Sequence, residues 1–304
     1  MNKPILQTNV ENYSVRRGKV RDVYDIGDDK LVVVSTDRIS AFDFVLPNGI
    51  PDKGKILTQI SIFWMDFLEV ENHLISENLA DLPAEFRKQA DVFNGRSMLV
   101  NKCEVVPFEC IVRGFLSGSG LAEYKQSQMV SGIEMPPGLC PNAQFPRPIF
   151  TPSTKEETGH DINIVFREMR ERSRDRYGDK DGYYIADWIK NNSLEIYTAA
   201  LEYAWKRGIL IADTKFEFGR LPDGDIILID EVLTPVSSRF WPLSEYHLNG
   251  DIPSFDKQYV RNWLSQSGWD KNSPPPMLPK EVVQNTRNKY LEAYQRLTGK
   301  ALEL

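Results

Sequence analysis

Residues 209–231 constrain the fold more than any other stretch of this chain. Ile209-Leu210-Ile211-Ala212 leads into Asp213-Thr214-Lys215-Phe216-Glu217-Phe218, where polar and apolar residues alternate and successive side chains point to opposite faces of a strand. Pro222-Asp223-Gly224 signals a turn, and Ile226-Ile227-Leu228-Ile229 forms a second strand running into Asp230-Glu231. With Asp223-Gly224 as a two-residue turn, the register sets Glu217 directly opposite Asp230, on the face that also carries Asp213 and Lys215. Two carboxylates facing each other across strands repel unless positive charge lies between them. A divalent cation supplies that charge. Oxygen donors without Cys or His suit magnesium, which takes one or two carboxylates and completes its shell with water and substrate phosphates. The alternative is that Lys215 alone neutralises the pair in a solvated network.

A chain of 304 residues has material for one large or two ordinary domains, and 41% hydrophobic with 26% charged residues is the balance of a soluble globular protein. The formal net charge of −6 argues against a general binder of nucleic acid or membrane surfaces, which gains affinity from excess Lys and Arg. Any phosphate ligand must therefore be held by local clusters of cations. Cys103, Cys110 and Cys140 are too few for a disulfide framework, and none has metal-ligand spacing with the three histidines, so a reducing cytoplasm is expected. The first residues lack the pattern of a signal peptide, and no apolar run approaches membrane-spanning length.

The organisation reads as strands over residues 15–26 and 31–35 around a turn at Gly27-Asp28-Asp29, with a second hairpin around 42–51. Ile56, Leu57, Ile60, Phe63, Trp64, Phe67 and Leu68 mark one face of a helix. Further strands are expected at 97–103 and 109–113. Residues 135–152 hold five prolines before Thr151 and one after it, which predicts an extended, irregular connection. A helix is expected from Ser193, as N-cap, to Gly208, as C-cap. The cluster Pro274-Pro275-Pro276 separates a helical segment around 255–264 from a last helix at 280–297. This order predicts an α+β protein with a cleft between two lobes, 1–105 and 106–304.

Several constellations carry chemistry. Arg16-Arg17-Gly18-Lys19-Val20-Arg21 would place Arg17, Lys19 and Arg21 on one strand face, with Gly18 allowing close approach of a ligand, a pattern that suits a polyphosphate. Ser35-Thr36-Asp37-Arg38-Ile39-Ser40-Ala41-Phe42-Asp43 gathers hydroxyls, two carboxylates and a guanidinium where a strand ends, as binding loops and capped turns both do. Arg113 near the end of a strand, followed by Gly114-Phe115-Leu116-Ser117-Gly118-Ser119-Gly120, reads as a flexible loop able to cradle a monophosphate through Arg113 and Ser119. Ser237-Ser238-Arg239 is a second such candidate. Two phosphate-type sites flanking a metal-type site is the pattern of a kinase or ligase acting on a phosphorylated substrate. Residues 151–161 are polar and long enough for an active-site lid, although Ser153 and Glu156 have the spacing of a helix capping box. His160 is assigned no chemical role.

Taken together, the segments GKVRDVY (18–24), STDRISAFD (35–43), ECIVRGFLSGSG (109–120), Thr151 to Lys155 with His160-Asp161, KFEFG (215–219) and DEVLTPVSSRFW (230–241) resemble the SAICAR synthetase family. They follow the family's order over most of the chain, and the length and proline-rich insertion are similar to the longer form found in yeast. The resemblance implies a small antiparallel β-rich ATP-binding lobe over a larger α+β lobe, kinase-like in outline only, since the kinase catalytic-loop and DFG signatures are missing. It implies a ligase of purine biosynthesis that joins L-aspartate to the carboxylate of carboxyaminoimidazole ribonucleotide (CAIR), splitting ATP through an acyl phosphate. On that pattern Arg17, Gly18, Lys19, Val20 and Arg21, with Lys102 and Glu104, take the ATP, and Glu217 and Asp230 hold Mg2+. Lys215 and Asp213 are catalytic, with Lys215 neutralising developing charge. Arg113, Ser119, Ser238 and Arg239 hold the 5′-phosphate side of the ribonucleotide, Asp37, Arg38 and Ser40 the imidazole and aspartate side, and Lys155 and Asp161 lie near the substrates. A monomer is expected.

One departure stands out within the resemblance. The family usually carries an acidic residue before the Ser-Ser-Arg motif, where this chain has Val236. Valine accepts no hydrogen bond, which implies weakened ribonucleotide affinity with the reaction retained. The competing readings are a nucleotide-binding homologue without turnover and a transferase that phosphorylates a small molecule without the aspartate step.

Overall fold

The computed structural model describes residues 3–155, 161–255 and 257–303. Two antiparallel sheets dominate them, as the α+β reading expects. The first has five strands in the spatial order Val15–Arg17, Arg21–Gly27, Lys30–Ser35, Ser97–Asn101 and Leu74–Ser76. Alternation along Lys30–Ser35 sends Val32 and Val34 to a core with Tyr24, Phe86, Phe93 and Leu99, and Val33 to the other face beside Met98 and Val100.

The second sheet is built around the twelve-residue strand Ile209–Arg220. It pairs on one side with Phe108–Phe115 and on the other, over different halves of its length, with Ile226–Ile229 and Ser238–Pro242, while Glu104–Val105 adds at its end. Ile211, Phe216 and Phe218 enter a large core that also takes Ile56, Ile60 and Trp64 from the helix Lys53–Phe67. That helix follows its apolar periodicity as expected, and the Trp64 indole N–H donates to the Leu233 carbonyl at 3.1 Å. A helix from the first hundred residues is thus packed against the second sheet. Residues 102–103 carry the chain from one sheet to the other.

Four expectations are corrected. Residues 15–26 form a hairpin and not one strand: Arg17 pairs with Asp22, and the Gly18 N–H donates to the Arg21 carbonyl at 2.8 Å, leaving Lys19 and Val20 at the tip. The next hairpin lies earlier than expected, at Ser40–Ala41 and Phe44–Val45, because Phe42 and Asp43 both adopt left-handed backbone (φ 50° and 66°), the conformation of a two-residue hairpin turn. The proline-rich stretch contains the strand Gln144–Phe150, tolerated because it lies at a sheet edge and its pairing is interrupted between Gln144 and Ile149, where Pro146 and Pro148 fall. The helix expected from Ser193 instead runs from Asp179 to Trp205, with Ser193 buried inside it. Gly178, at φ 89°, divides it from the helix Phe166–Tyr177, and Asp179 and Asp181 in its first turn favour the positive end of its dipole.

The start of the helix Lys53–Phe67 is docked tightly on the first sheet. The Gly54 N–H donates to Asp37 Oδ1 at 2.9 Å, and a Cβ at this position would lie 2.1 Å from the Ser35 carbonyl oxygen and 2.5 Å from Arg96 Nη1. Gly54→Ala is therefore expected to cost about 1–3 kcal/mol in urea unfolding, the penalty of overpacking. A loss under about 0.5 kcal/mol, ordinary for a surface change, would show that this junction yields freely.

Candidate active site between the two sheets

The strand Ile209–Arg220 turns Asp213, Lys215 and Glu217 to one face, as its alternation predicts, while Phe216 and Phe218 are buried on the other. The pairing sets Asp213 beside Arg113 and Lys215 beside Ile111, which brings Glu109 of the neighbouring strand into reach. Lys215 Nζ lies 2.5 Å from Glu109 Oε1 and 3.3 Å from Glu217 Oε1, and Lys155 Nζ donates to Glu217 Oε2. Burial alone would lower the Lys215 pKa, but Glu217 and Glu109 outweigh it and the ammonium is held cationic. Burial likewise opposes ionisation of Glu217, and the ammonium groups of Lys215 and Lys155 overcome it, drawing the carboxyl down to about 2.

Asp230 does not lie directly opposite Glu217. The pairing is Glu217 with Ile229, one residue from the expected register. Pro222-Asp223-Gly224 forms a three-residue loop in which the Gly224 N–H donates to the Leu221 carbonyl and the Leu221 N–H to the Asp225 carbonyl, both at 2.9 Å. Gly224 sits at φ 101°, the extra left-handed residue of such loops. Asp230 follows the end of its strand in left-handed backbone (φ 68°). Its Oδ2 takes Arg21 Nη2 from the first sheet at 2.6 Å, and Arg21 Nη1 is 3.5 Å from Glu231.

Arg21 and Asp230 both hold their protons more tightly than usual. Burial disfavours charge on each, and the carboxylates of Asp230, Glu231 and Glu217 reverse that for Arg21. For Asp230, burial together with Glu217 and Glu231 outweighs Arg21 and raises its pKa to about 6. Both shifts report one local condition: the carboxyl groups of Glu217, Asp230 and Glu231 crowd around Arg21. The neighbouring His73 is buried and unprotonated, its pKa lowered to about 4 by burial and by Arg21. An excess of carboxylate oxygens is a donor set that fits magnesium. Among the described residues no three His, Cys, Asp or Glu side chains converge into a closed metal cage, so such an ion would complete its shell from water and ligand oxygens.

Four residues along the same strand, at Asp213, lies a cationic pocket. Buried Arg113 donates through Nη1 to Asp213 Oδ2 (3.1 Å), through Nη2 to Ser119 Oγ (2.9 Å) and through Nε to Thr151 Oγ1 (3.0 Å). Arg239 Nη1 reaches the same Asp213 oxygen at 2.7 Å and Ser117 Oγ at 2.6 Å. The segment expected as a flexible loop is the start of the helix Gly118–Ser127, with Ser117 as N-cap residue. Gly118 (φ 54°) is needed there, since a Cβ would stand 2.8 Å from Arg239 Nη2. Two guanidinium groups on one carboxylate, facing the amide end of a helix, leave net positive potential for an anion.

The remaining residues divide sharply. Lys19 is exposed at the hairpin tip and paired with Asp43 at 2.6 Å, and Arg17 donates to the Thr8 carbonyl at 2.8 Å. The Val20 carbonyl accepts from the Thr36 N–H and hydroxyl. Asp37, expected to meet substrate, is buried, its carboxylate accepting from the Ile5 and Gly54 N–H groups and Arg96. Arg38, likewise expected at a substrate, donates to the carbonyls of Leu6, Gly18, Lys19 and Arg21 and to Asp22, and so braces the hairpin tip. Ser40 is half-buried in the small hairpin. Ser238 is buried in a hydroxyl pair with Thr214 at 2.7 Å, directed away from the arginines. Lys102 and Glu104 occupy exposed ion pairs with Asp25 and Arg176. Asp213 serves the two arginines and not Lys215. Ser153 is in the strand Ser153–Thr154 and caps no helix; residues 156–160 of the expected lid, Glu156 and His160 among them, lie outside the described residues, whereas Asp161 falls within electrostatic reach of Glu109. Val236 is half-buried against the large core, its N–H on Thr234 Oγ1 at 3.2 Å.

Sequence reasoning did not single out Glu109, Glu231, Ser117, Thr151 or Lys53. Glu109 had a signal, since it shares strand parity with Arg113; the others are placed by tertiary packing alone.

Two antiparallel sheets joined by an acid-rich cluster, with a paired-arginine pocket on the same strand, define an α+β protein whose charged groups suit anionic small molecules. The family model for SAICAR synthetase matches residues 14–276, and the chain belongs to that family. A relative from Syntrophobacter fumaroxidans named phosphoribosylaminoimidazole-succinocarboxamide synthase is 50% identical over 303 residues, covering 98% of this chain and 97% of its own. One of the same name from Geotalea uraniireducens is 50% identical and covers 99% of each chain. Among solved structures, the SAICAR synthase of Saccharomyces cerevisiae complexed with SAICAR superposes with a TM-score of 0.87 at 38% identity, covering 99% of this chain and 100% of that one. A type-2 SAICAR synthetase in complex with ADP shares the fold, with a TM-score of 0.67 at 24% identity over 96% of this chain and 100% of that one.

Because Asp230 binds its proton more tightly in the folded chain, near pH 6 against an ordinary 3.8, its contribution to stability is full below about 3.8 and is lost as pH rises through about 6. Asp230→Asn, neutral at every pH, is expected to melt close to wild type at pH 4 and a few degrees higher at pH 8. Equal differences at both pH values would contradict the assignment.

Proposed function

We infer that this protein is an ATP-dependent ligase that joins L-aspartate to the carboxylate of carboxyaminoimidazole ribonucleotide, releasing SAICAR, ADP and phosphate. The observation that carries this reading is the placing of the arginine pocket and the acid cluster on one strand face. Asp213 and Glu217 are four residues apart, about 13 Å along a strand. That spacing lets a ribose ring lie between a 5′-phosphate at the arginines and a reacting carboxylate near Lys215. Full-length relatives at about 50% identity support it and disfavour a non-catalytic homologue.

The chemistry needs a carboxylate turned into an acyl donor. Transfer of the γ-phosphoryl group to a carboxylate oxygen gives an acyl phosphate and ADP. The aspartate amine then attacks the acyl carbon, the bond from that carbon to the phosphate oxygen breaks and phosphate leaves, and the nitrogen gives up one proton to become the amide N–H. Arg113 and Arg239 hold the 5′-phosphate with the Ser119 hydroxyl, and Asp213 keeps the two guanidinium groups aligned. The hairpin tip at Gly18, Lys19 and Val20, with Arg21, covers the nucleotide phosphates. Glu217 and Asp230 are the carboxylates that would hold magnesium, which when bound neutralises phosphate oxygens. Lys215 and Lys155, fixed by carboxylates on a buried surface, present positive charge where negative charge develops without having to reorganise. We place the protein in the cytoplasm, in keeping with its free cysteines, and as a monomer.

The test is ADP release with ATP, magnesium and the ribonucleotide, with and without L-aspartate, and the mass of the product. Aspartate-dependent succinocarboxamide is expected; ADP with a stable phosphorylated product and no aspartate dependence would replace the ligase with a transferase. Arg239→Met should raise KM for the ribonucleotide about 10–100-fold, the worth of a charged hydrogen bond of about 1.5–3 kcal/mol, with KM for ATP little changed. Val236→Asp should lower KM for the ribonucleotide; an unchanged or raised value counts against a ligand contact at that position.

A further inference from the structure

Lys53 occupies the first turn of the helix Lys53–Phe67, is 1% exposed, and its ammonium has no hydrogen-bond partner among the described residues. Its position is over-determined. The preceding Asp52, in left-handed backbone, is clamped by Arg287 at 2.6 Å, and the following Gly54 N–H is bound to Asp37. Among the described residues, the charged groups that act most strongly on it are Glu231, Asp37, Arg21 and Lys257. Asp37 is already committed to Ile5, Gly54 and Arg96, and Glu231 accepts from the Thr234 hydroxyl and faces Arg21. A buried ammonium left unpaired costs several kcal/mol, so its retention beside the acid cluster points to an anion that arrives with the reaction. The ribonucleotide phosphate has Arg113 and Arg239, and the nucleotide phosphates have the hairpin tip and Arg21. The anionic groups still without a cation are the carboxylates of the amino-acid substrate.

We propose that Lys53 Nζ binds a carboxylate of L-aspartate, on the first-lobe side of the cleft, and so orients its amine toward the activated carboxylate. This rests on the ligase reading. Burial lowers the Lys53 pKa to about 8, with Glu231 and Asp37 pulling it back up, so the group remains mainly cationic at neutral pH.

The test uses the full-length protein with Lys53→Met and, in parallel, Lys53→Gln. Both are expected to raise KM for L-aspartate at least about 10-fold, as loss of a charged hydrogen bond does, with KM for ATP and for the ribonucleotide within about twofold of wild type. Lys53→Met should melt at or above the wild-type temperature, because it replaces an unpaired buried charge with an apolar chain of similar length. Hydroxylamine in place of aspartate supplies a neutral nucleophile that traps the acyl phosphate as a hydroxamate, and its rate should survive both substitutions. A KM for aspartate within twofold of wild type overturns the proposal. So does an equal loss of hydroxamate formation, which would assign Lys53 to the phosphoryl group. Wild-type protein giving hydroxamate or ADP but no aspartate-dependent product would instead defeat the ligase reading itself.

Discussion

The ion ladder Glu109, Lys215, Glu217 and Lys155 along one face of the strand Ile209–Arg220 is the interaction on which the rest of the site depends. Such an array is poor as a source of stability, because desolvating charges consumes much of what their attraction returns. Its value is geometric. The strand is paired on both sides and its opposite face is locked by Phe216 and Phe218, so each charged group is held at a fixed height above the sheet. A cleft made this way meets its ligands already polarised, and water need not be reorganised when charge shifts.

Asp230 shows how that precision is reached from unremarkable parts. Within the sheet it would point to one face or the other by parity alone; by leaving the strand in left-handed backbone it escapes that choice and turns toward Arg21 of the first sheet. The contact joins residues 209 positions apart and ties the hairpin tip to the acid cluster. A phosphate or cation binding at this point would have to compete with an existing ion pair, which would link its occupancy to the relation of the two sheets.

Much of this was legible in the sequence because period-two alternation survives in strands with one polar face: Asp213, Lys215 and Glu217 share a face as read, and Arg113, Ser119 and Arg239 do converge. The register of Asp230 was not legible, since Pro-Asp-Gly serves two-residue and three-residue loops equally and only the conformation of Gly224 decides. Gly18-Lys19-Val20-Arg21 lacks the Asn-Gly or Asp-Gly signature of a tight hairpin, so a turn there reads as continuous strand. Asp37 and Arg38 misled in another way. A carboxylate and a guanidinium at a strand end suggest ligand contacts, and nothing local announces that their partners come from residues 5, 6, 18, 19, 21, 22, 54 and 96. Lys53 is the converse, a lysine at a helix start that a sequence reading leaves in solvent.

The bracing of the hairpin tip by Arg38 has a consequence for how this family can vary. A single planar fork serves acceptors from five residues at once, which only a guanidinium, with five donors in a rigid plane, can do; an ammonium offers three from one point. The backbone path of the tip around Lys19 is therefore set by carbonyl oxygens that every residue has, and leaves its side chains to the ligand. The arginine beneath it is not interchangeable, and the usual exchange with lysine at this position would trade one ordered tip for many.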